Sequence, residues 1–240
     1  MLSASNHDSN RPSDEIPYAI KSQITKIGYS DPNFTAAILK RATDFAVASA
    51  FNAAIRNSAL DSMTIKSCKI GEDSSVQMRE CLSENVAMET LDVDNCVITS
   101  KRFRRIMQGL GRNGKDSGIT ELHFTSCALD GRCGEYFGEF LCSDPPEVPL
   151  CRNLAVINLQ DNQIGDRGAV GLSYLLHPEG RLIRLHLGKN RIGDRGAVAL
   201  ANMLLKNKTL HTLDLGHNII GADGGIALAS MLRENKYLSR

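Results

Sequence analysis

The sequence predicts an α/β solenoid: a curved array of strand–turn–helix units with parallel strands inside and helices outside. One observation is a period of 28 residues, because Leu154, Leu182 and Leu210 open three segments in which leucine, isoleucine, asparagine and glycine recur at matching positions. Another is a change of period within each segment, from alternation of apolar and polar residues to helical spacing. A unit this short buries its apolar face only by stacking on its neighbours, so the repeats indicate one elongated array.

The copy that starts at Leu182 illustrates the unit. Leu185 and Leu187 alternate with polar residues, which is typical of a strand buried on one face, and a run at helical spacing follows from Gly196. Asn190 lies at the turn between them, where its carboxamide can donate and accept the hydrogen bonds that an inward-turning backbone needs. Asp166 and Asp194 come just before helical segments, so we expect them to be N-caps of those helices.

This pattern, LxxLxLxxNxIGDxGxxxLxxxL, resembles the leucine-rich repeat of the ribonuclease-inhibitor type. Repeats of this type also occur in nucleotide-sensing immune receptors, Ran GTPase-activating proteins, tropomodulins and some axonemal proteins. The resemblance implies the leucine-rich-repeat solenoid as fold class, but it says little about function.

Three domains are expected along the chain. Residues 1–30 are rich in Ser, Asn, Asp and Pro, a composition that favours a flexible tail. Residues 31–58 are predicted to form one helix, with Phe34, Ile38 and Phe45 on its apolar face, that caps the exposed edge of the first repeat; partner binding by this helix is the alternative. Residues 59–240 are predicted to form the leucine-rich repeat domain.

That domain is expected to contain about six units, beginning near residues 60, 88, 119, 154, 182 and 210. The first three carry cysteine where the last three carry asparagine, and a buried free cysteine can replace it as a small apolar side chain with a weak S–H donor. The resemblance agrees, since the ribonuclease-inhibitor type has either residue here. The predicted structural turn ladder is Cys68, Cys96, Cys127, Asn162, Asn190 and Asn218.

Two insertions, at residues 111–118 and 143–151, fall between a helix and the following strand and should lie on one rim. Cys142 and Cys151 flank the second insertion, and we expect two free thiols there, or a disulfide if the protein is oxidised. The sequence ends just as a seventh unit would begin. We therefore expect the edge of the last repeat to be available for self-association or for stacking of a partner.

Charge and hydropathy exclude several classes of function. With 28 basic and 27 acidic residues the net charge is +1, so no overall field favours nucleic acid or an anionic membrane. No apolar run approaches a membrane span, and the polar start lacks a secretory core. We expect a cytoplasmic, or cytoskeletal, protein with reduced thiols and no cofactor.

Four motifs indicate chemistry less well than they indicate structure. The glycines of GLGRNGKD, from Gly109 to Asp116, follow a helix rather than a strand, which argues against a phosphate loop. The basic run Lys101–Arg105 is predicted to lie on a solvated helix face. The cysteines lack the close pairs of a zinc site, and a Ser126, His186 and Asp214 triad would lack an oxyanion pocket, so we expect no catalysis.

The predicted functional surface is the concave face, where polar strand side chains of successive units lie side by side. Because parallel strands lie closer together than packed helices, the array must bend with its strands inside. The predicted partner-binding residues are Asp92, Asp94, His123, Asn158, Gln160, Arg184, His186, Lys189, Asp214 and His217. We expect a non-catalytic scaffold for another protein; a GTPase activator resembling those of Ran, and a part of a cytoskeletal or axonemal assembly, are the alternatives.

Overall fold

A computed structural model describes residues 36–56, 60–113, 116–142 and 153–239 of the chain. Within these ranges seven strands form one parallel sheet in sequence order, and each strand is followed by a helix. The strands are β1 Ala36–Lys40, β2 Ser62–Lys66, β3 Thr90–Asp94, β4 Glu121–Thr125, β5 Val156–Asn158, β6 Arg184–His186 and β7 Thr212–Asp214. The helices are α1 Asp44–Arg56, α2 Glu72–Glu84, α3 Ser100–Asn113, α4 Gly131–Leu141, α5 Gly165–Ser173, α6 Asp194–Leu204 and α7 Ala222–Glu234; a 3₁₀ turn, Tyr174–Leu176, extends α5.

The fold is the predicted α/β leucine-rich-repeat solenoid, because each unit packs only on the units before and after it. Consecutive strands pair with one another, and consecutive helices pack side by side on the other face of the sheet. The apolar strand residues point between these two layers: Leu91, Val93, Leu185 and Leu187 are all completely buried. Each such side chain contributes about 2 kcal/mol to folding, so stacking supplies most of the stability.

Three of the largest buried side chains lie at the junction of the third and fourth units. Phe103 of α3 packs edge-to-face on Phe124 of β4 at a ring-centroid distance of 5.1 Å, and lies 5.7 Å from Phe137 of α4. Such pairs stabilise by about 1 kcal/mol beyond the area that they bury. The aromatic cluster therefore joins two neighbouring cysteine-bearing units.

The prediction of one continuous helix over residues 31–58 is wrong in its first half. Residues Ala36–Lys40 form β1, which pairs with β2 in parallel and places Ile38 beside Thr64, and the helix begins only at Asp44. The structure therefore contains seven strand–helix units instead of about six. This unit was missed because its offset is 26 residues and because Ala42 occupies the turn position of the asparagine or cysteine. The expected tail at 1–30 lies outside the described residues.

The prediction that Asp166 and Asp194 cap their own helices is also wrong, because each carboxylate caps the helix of the next unit. One oxygen of Asp166 accepts hydrogen bonds from the backbone N–H groups of Gly193, at 2.7 Å, and Gly196, at 2.9 Å. Asp194 makes the same two bonds to the following helix. Helix N-termini lie side by side in the stack, and a Cβ atom on Gly193 would come 3.2 Å from the Asp166 carboxylate, so glycine leaves room for the cap.

Candidate functional site: the concave face and its rim

The concave face is built from the strand residues that point away from the core. Their register is continuous from β1 to β7, so one row of side chains crosses the whole sheet. We call this the central row: Ile38, Thr64, Asp92, His123, Asn158, His186 and Asp214. Its members are half-buried, as expected for short side chains on a curved sheet. Residues up to 176 positions apart in the sequence, Ile38 and Asp214, thereby share one surface.

A second row lies where each strand ends and the chain turns inward. Its backbone is left-handed in every unit, with φ between 50° and 58°. The backbone N–H of every member from Arg41 to Lys189 donates to the next unit, as from Asp161 to Gly188 at 2.9 Å and from Lys189 to Gly216 at 2.8 Å. We call it the rim row: Arg41, Ser67, Asn95, Ser126, Asp161, Lys189 and His217.

The acidic part of the concave face lies on β3. Asp92 and Asp94 line an open depression of about 390 Å³ together with Lys66, His123 and Asn158. The ammonium nitrogen of Lys66 lies 3.8 Å from Asp92 and 3.9 Å from Asp94, which is beyond hydrogen-bond length. Exposed pairs of this kind contribute at most about 1 kcal/mol, so both carboxylates remain accessible to another cation.

Acidic and basic groups are not confined to opposite ends of the concave face. Arg184 of β6, one of the predicted partner-binding residues, reaches across β5 and places a guanidinium nitrogen 3.8 Å from Glu121 of β4. The same Glu121 lies 3.1 Å from His123. The sequence analysis missed Glu121, although it precedes His123 by two residues and therefore faces the same side of the strand. Among the predicted partner-binding residues, Lys189 and His217 also supply basic side chains. The backbone carbonyl of Gln160 accepts a hydrogen bond from the N–H of Ser126 in the rim row at 3.1 Å.

The residues of the hypothetical triad do not engage one another in the described part of the chain. His186 and Asp214 are neighbours in register, but the Asp214 carboxylate accepts the N–H of Gly216 at 2.8 Å. The Ser126 hydroxyl donates to Asp161 at 2.8 Å. A serine nucleophile requires a base within hydrogen-bond reach, and this hydroxyl is directed to a carboxylate of the rim instead.

The turn ladder behind the rim row consists of side chains that bond the backbone of the preceding unit. Asn162 accepts the N–H groups of Cys127 and Leu129, each at 3.0 Å, and donates to the carbonyl of Phe124 at 2.7 Å. Asn190 and Asn218 repeat this pattern one and two units later. In the cysteine-bearing units Sγ takes the place of the carboxamide, as in the contact of the Cys68 N–H with the sulfur of Cys96 at 3.1 Å.

The Cys127 thiol of the ladder is buried and structural. Burial raises the pKa of Cys127 to about 12, so that thiol stays protonated and unreactive at neutral pH. The same cause raises the pKa of Cys133 to about 12 and that of Cys142 to about 11. Cys142 is a free thiol in the structure; Cys151, its expected alternative partner, lies outside the described residues, as do residues 143–152.

A second ladder of asparagines closes the helix C-termini, and the sequence analysis missed it. Asn235 donates to the carbonyls of Leu204 and Asn207, and its own oxygen accepts two N–H groups that follow α7. The members are Asn85, Asn113, Asn207 and Asn235, two pairs with the 28-residue spacing that could have identified them. Asn207 begins the sequence Asn-Lys-Thr, but it is 2 % exposed and fully bonded, so it is a structural residue.

The basic run Lys101–Arg105 lies on α3, on the convex side, with Phe103 buried. Arg104 pairs with Glu139 of α4 at 2.9 Å, and Arg105 pairs with Glu72 of α2. These pairs connect adjacent helices, so two of the four cations of the run are neutralised within the molecule. Gly109, the first glycine of GLGRNGKD, is a packing residue: a Cβ atom there would lie 2.4 Å from the carbonyl oxygen of Arg79.

Metal-binding clusters and membrane-spanning helices are both absent from the described ranges. No group of three or more metal-ligating side chains occurs among those residues. None of the helices in that part of the chain has the length and apolar character needed to cross a membrane.

Comparison with known proteins identifies the repeats. A family model described as "Leucine Rich repeat" matches residues 150–173, 182–201 and 206–229, which are parts of the last three units. The solved structures that resemble the chain include leiomodin-1 actin-binding site 2, with 20 % sequence identity, 58 % of this chain and 73 % of that chain covered, and a TM-score of 0.41. An internalin from Listeria monocytogenes has 15 % identity and a TM-score of 0.33; 75 % of this chain and 55 % of the internalin chain are covered, so the match spans about half of that protein. No curated protein matches the sequence.

Proposed function

We propose that this leucine-rich-repeat solenoid is a non-catalytic interaction module or scaffold that binds a partner protein through its concave face and rim. The observation that carries the proposal is the continuous register of the central row, which aligns polar side chains from six consecutive units on one sheet. A surface formed in advance by the backbone loses little conformational entropy when it binds. That favours a protein ligand large enough to span several strands.

The chemistry of the face supports a partner with charged contacts. Asp92 and Asp94 are held only by long contacts to Lys66, so a lysine or arginine of the partner can replace that ammonium group. Between Asp92 and Asp214 the central row consists of His123, Asn158 and His186, which can donate and accept hydrogen bonds. Such a face depends on electrostatic complementarity for its specificity more than on large apolar anchors.

The proposal includes the repeat type and the compartment. A unit of 28 residues with a full helix after each short strand favours the ribonuclease-inhibitor type of repeat. Buried free cysteines at the turn positions favour a reducing, cytoplasmic setting. We also propose that α1, together with β1, caps the first units of the leucine-rich repeat domain, as expected for a terminal unit.

The test starts with identification of the partner by capture on the immobilised full chain and mass spectrometry, followed by measurement of Kd for the purified pair. Asp92→Asn with Asp94→Asn should raise Kd about tenfold or more, and His186→Ala with Asp214→Ala should do the same, since each lost charged contact is worth about 1–2 kcal/mol. Both double variants should keep a Tm close to that of the original chain, because their side chains are only half-buried and make weak internal pairs.

The matched control removes two exposed carboxylates from helices of the convex side. Glu84→Gln with Glu234→Gln alters the net charge as much as the β3 double variant and leaves the concave face intact. Its Kd should stay within about twofold of the original value, well under 1 kcal/mol. If the control weakens binding and both concave variants bind normally, the concave face is not the site.

A further inference from the structure

A groove runs along the rim beyond the C-terminal ends of β4 to β7. It has a volume of about 430 Å³, and its basic side chains come from the last two units: Lys189, Arg191 and His217. Ala128 and Ile219 contribute apolar surface, and Ile219 is 71 % exposed. We call this the rim groove. Ile219 therefore offers one exposed apolar contact beside the cations of the groove.

Within the described ranges, the cations of the rim groove have no counter-ion. Among the described residues no carboxylate oxygen lies within 4.0 Å of Lys189, Arg191 or His217. Some arginines of the convex side differ, since Arg104 and Arg167 each form an ion pair with a glutamate of a neighbouring helix. The groove therefore keeps a positive local potential in a molecule whose net charge is only +1.

The backbone fixes the places of these side chains. Lys189, Arg191 and His217 have φ values of 55°, 58° and 57°, in the left-handed region. Because every unit is left-handed at the rim row, the conformation itself is a property of the repeat and carries no information about ligands. The information lies in the side chains: glycine or asparagine would adopt this conformation at lower energy, by about 1 kcal/mol, yet adjacent units carry a lysine and a histidine.

The groove is also unsuited to a uniform polyanion. The Asp161 carboxylate lines the groove between the basic residues and Ser126, and it accepts a hydrogen bond from the Ser126 hydroxyl. A nucleic acid presents phosphates at regular spacing and would meet this negative charge and the apolar side chain of Ile219. A peptide can place an apolar residue on Ile219 and Ala128 and direct its carboxylates to the cations only.

We infer that the rim groove binds an acidic peptide segment of the partner, with its carboxylates on Lys189, Arg191 and His217 and an apolar side chain on Ile219. The inference rests on the proposed partner-binding role and specifies the chemistry of the ligand at one part of the surface. It adds Arg191 and Ile219 to the residues that contact the partner. Carboxylate recognition by a guanidinium group is directional, which would fix the register of the segment.

The test uses fluorescence anisotropy with the full chain and a labelled nonapeptide of seven glutamates and two leucines. The same peptide with glutamine in place of glutamate tests the charge, and a twelve-residue oligothymidylate tests for polyanion binding. Lys189→Asn with Arg191→Asn should raise the Kd of the acidic peptide at least tenfold, because asparagine tolerates the left-handed backbone and only the charges are lost. Ile219→Ser should raise it about threefold through the loss of apolar contact.

The matched control is Arg41→Asn with Lys69→Asn. Arg41 and Lys69 lie at the other end of the sheet, at the repeat positions that correspond to Lys189 and Arg191. Arg41 has the same left-handed backbone as Lys189. The control variant removes two positive charges, as the test variant does. Arg41 lies five strand spacings from Lys189, about 24 Å along the sheet. This variant should bind the acidic peptide with unchanged Kd, and the Tm of both variants shows whether the fold is intact.

Several results would overturn the inference. They are absence of binding by the original chain at about 100 µM peptide, equal affinity for the glutamine peptide or the oligothymidylate, and equal loss in the control variant. Failure here with a captured partner that still depends on Asp92 and Asp94 would remove only the rim groove assignment. Failure of both sets of variants would remove the proposed function as well.

Discussion

At the scale of single residues, the most informative side chain is the asparagine of the turn ladder. Asn190 is completely buried, and its carboxamide bonds the Ile164 N–H and the Leu159 carbonyl, which belong to the preceding unit. Both backbone groups are enclosed by packed leucines and have no access to water. A carboxamide satisfies a donor and an acceptor at once, which explains why a residue with this chemistry occupies the turn.

We expect Asn190→Ala to lower the free energy of unfolding by about 2–3 kcal/mol, since it leaves a buried donor and acceptor unpaired. Asn190→Cys should cost less, because a thiol fills the same position in Cys68, Cys96 and Cys127 and contacts the same kinds of backbone group. Urea unfolding of the full chain measures both. Asn202→Ala, on an exposed position of α6, is the control and should change stability by less than about 0.5 kcal/mol. Equal effects of the alanine variants would contradict the structural role of the ladder.

Sequence reasoning worked for the ladder and not for the rim row. The ladder residues recur at an offset of 28 residues in three of the five steps and are of one chemical type in each half of the chain, so their role could be read from the repeat. The left-handed backbone at Lys189 and His217 left no such signal, because left-handed positions are usually recognised by glycine, and none of the seven rim positions is glycine. The unpaired charge of Arg191 likewise depends on distances that only the fold defines.

At the scale of elements, the caps made by Asp166 and Asp194 connect neighbouring units. The Asp166 carboxylate belongs to α5 and caps α6, and Asp194 of α6 caps α7 in the same way, so the start of each of these two helices depends on the helix before it. The sequence analysis chose the right residue type and the wrong helix, because spacing along the chain cannot distinguish a cap within a helix from one across the stack. Spacing along the chain is ambiguous for β1 as well. Its apolar residues also fit helical spacing, and only its pairing with β2 identifies it as a strand.

We expect Asp166→Ala to destabilise the chain by about 1 kcal/mol and to increase the amide exchange of the first turn of α6 rather than that of α5. The N–H groups of Gly193 and Gly196 lose their acceptor, whereas α5 keeps its own hydrogen bonds. Hydrogen exchange with mass spectrometry, resolved to peptides of the two helices, makes the measurement. Asp223→Ala on α7, an exposed residue with no side-chain hydrogen bond in the described structure, is the control. Faster exchange confined to α5 would show instead that Asp166 caps its own helix.

At the scale of the whole molecule, stability is distributed along a line of units and not around one centre. The sequence predicted this architecture because three units share nine positions at one period. It underestimated the number of units because the first departs most from the pattern. The predicted insertion at 143–151 lies outside the described residues, so its place on the rim remains a prediction.

The last unit is more exposed to solvent than the unit before it. Leu204 of α6 is completely buried, whereas Leu232, at the same repeat position in α7, is 54 % exposed, and Ile226 is 66 % exposed. In a linear array each unit is stabilised by its contacts with both neighbours, so the last unit should open locally at a lower free energy than the middle ones. Its leucines therefore contribute less to the global transition than their equivalents one unit earlier.

We expect Leu204→Ala to lower the free energy of unfolding by about 3 kcal/mol and Leu232→Ala by less than about 1 kcal/mol, although the residue and the repeat position are the same. Amide exchange in the original chain should become faster from α5 and α6 to α7, because fewer packed side chains oppose local opening there. The unfolding and amide-exchange measurements should both be made at a low protein concentration and repeated at a tenfold higher one. Protection of α7 that rises with concentration would mean that a second copy covers the exposed leucines, as the expected self-association requires. Equal costs for the two leucines at every concentration would mean that α7 is buried in solution within a single molecule, and the linear account of stability would be wrong.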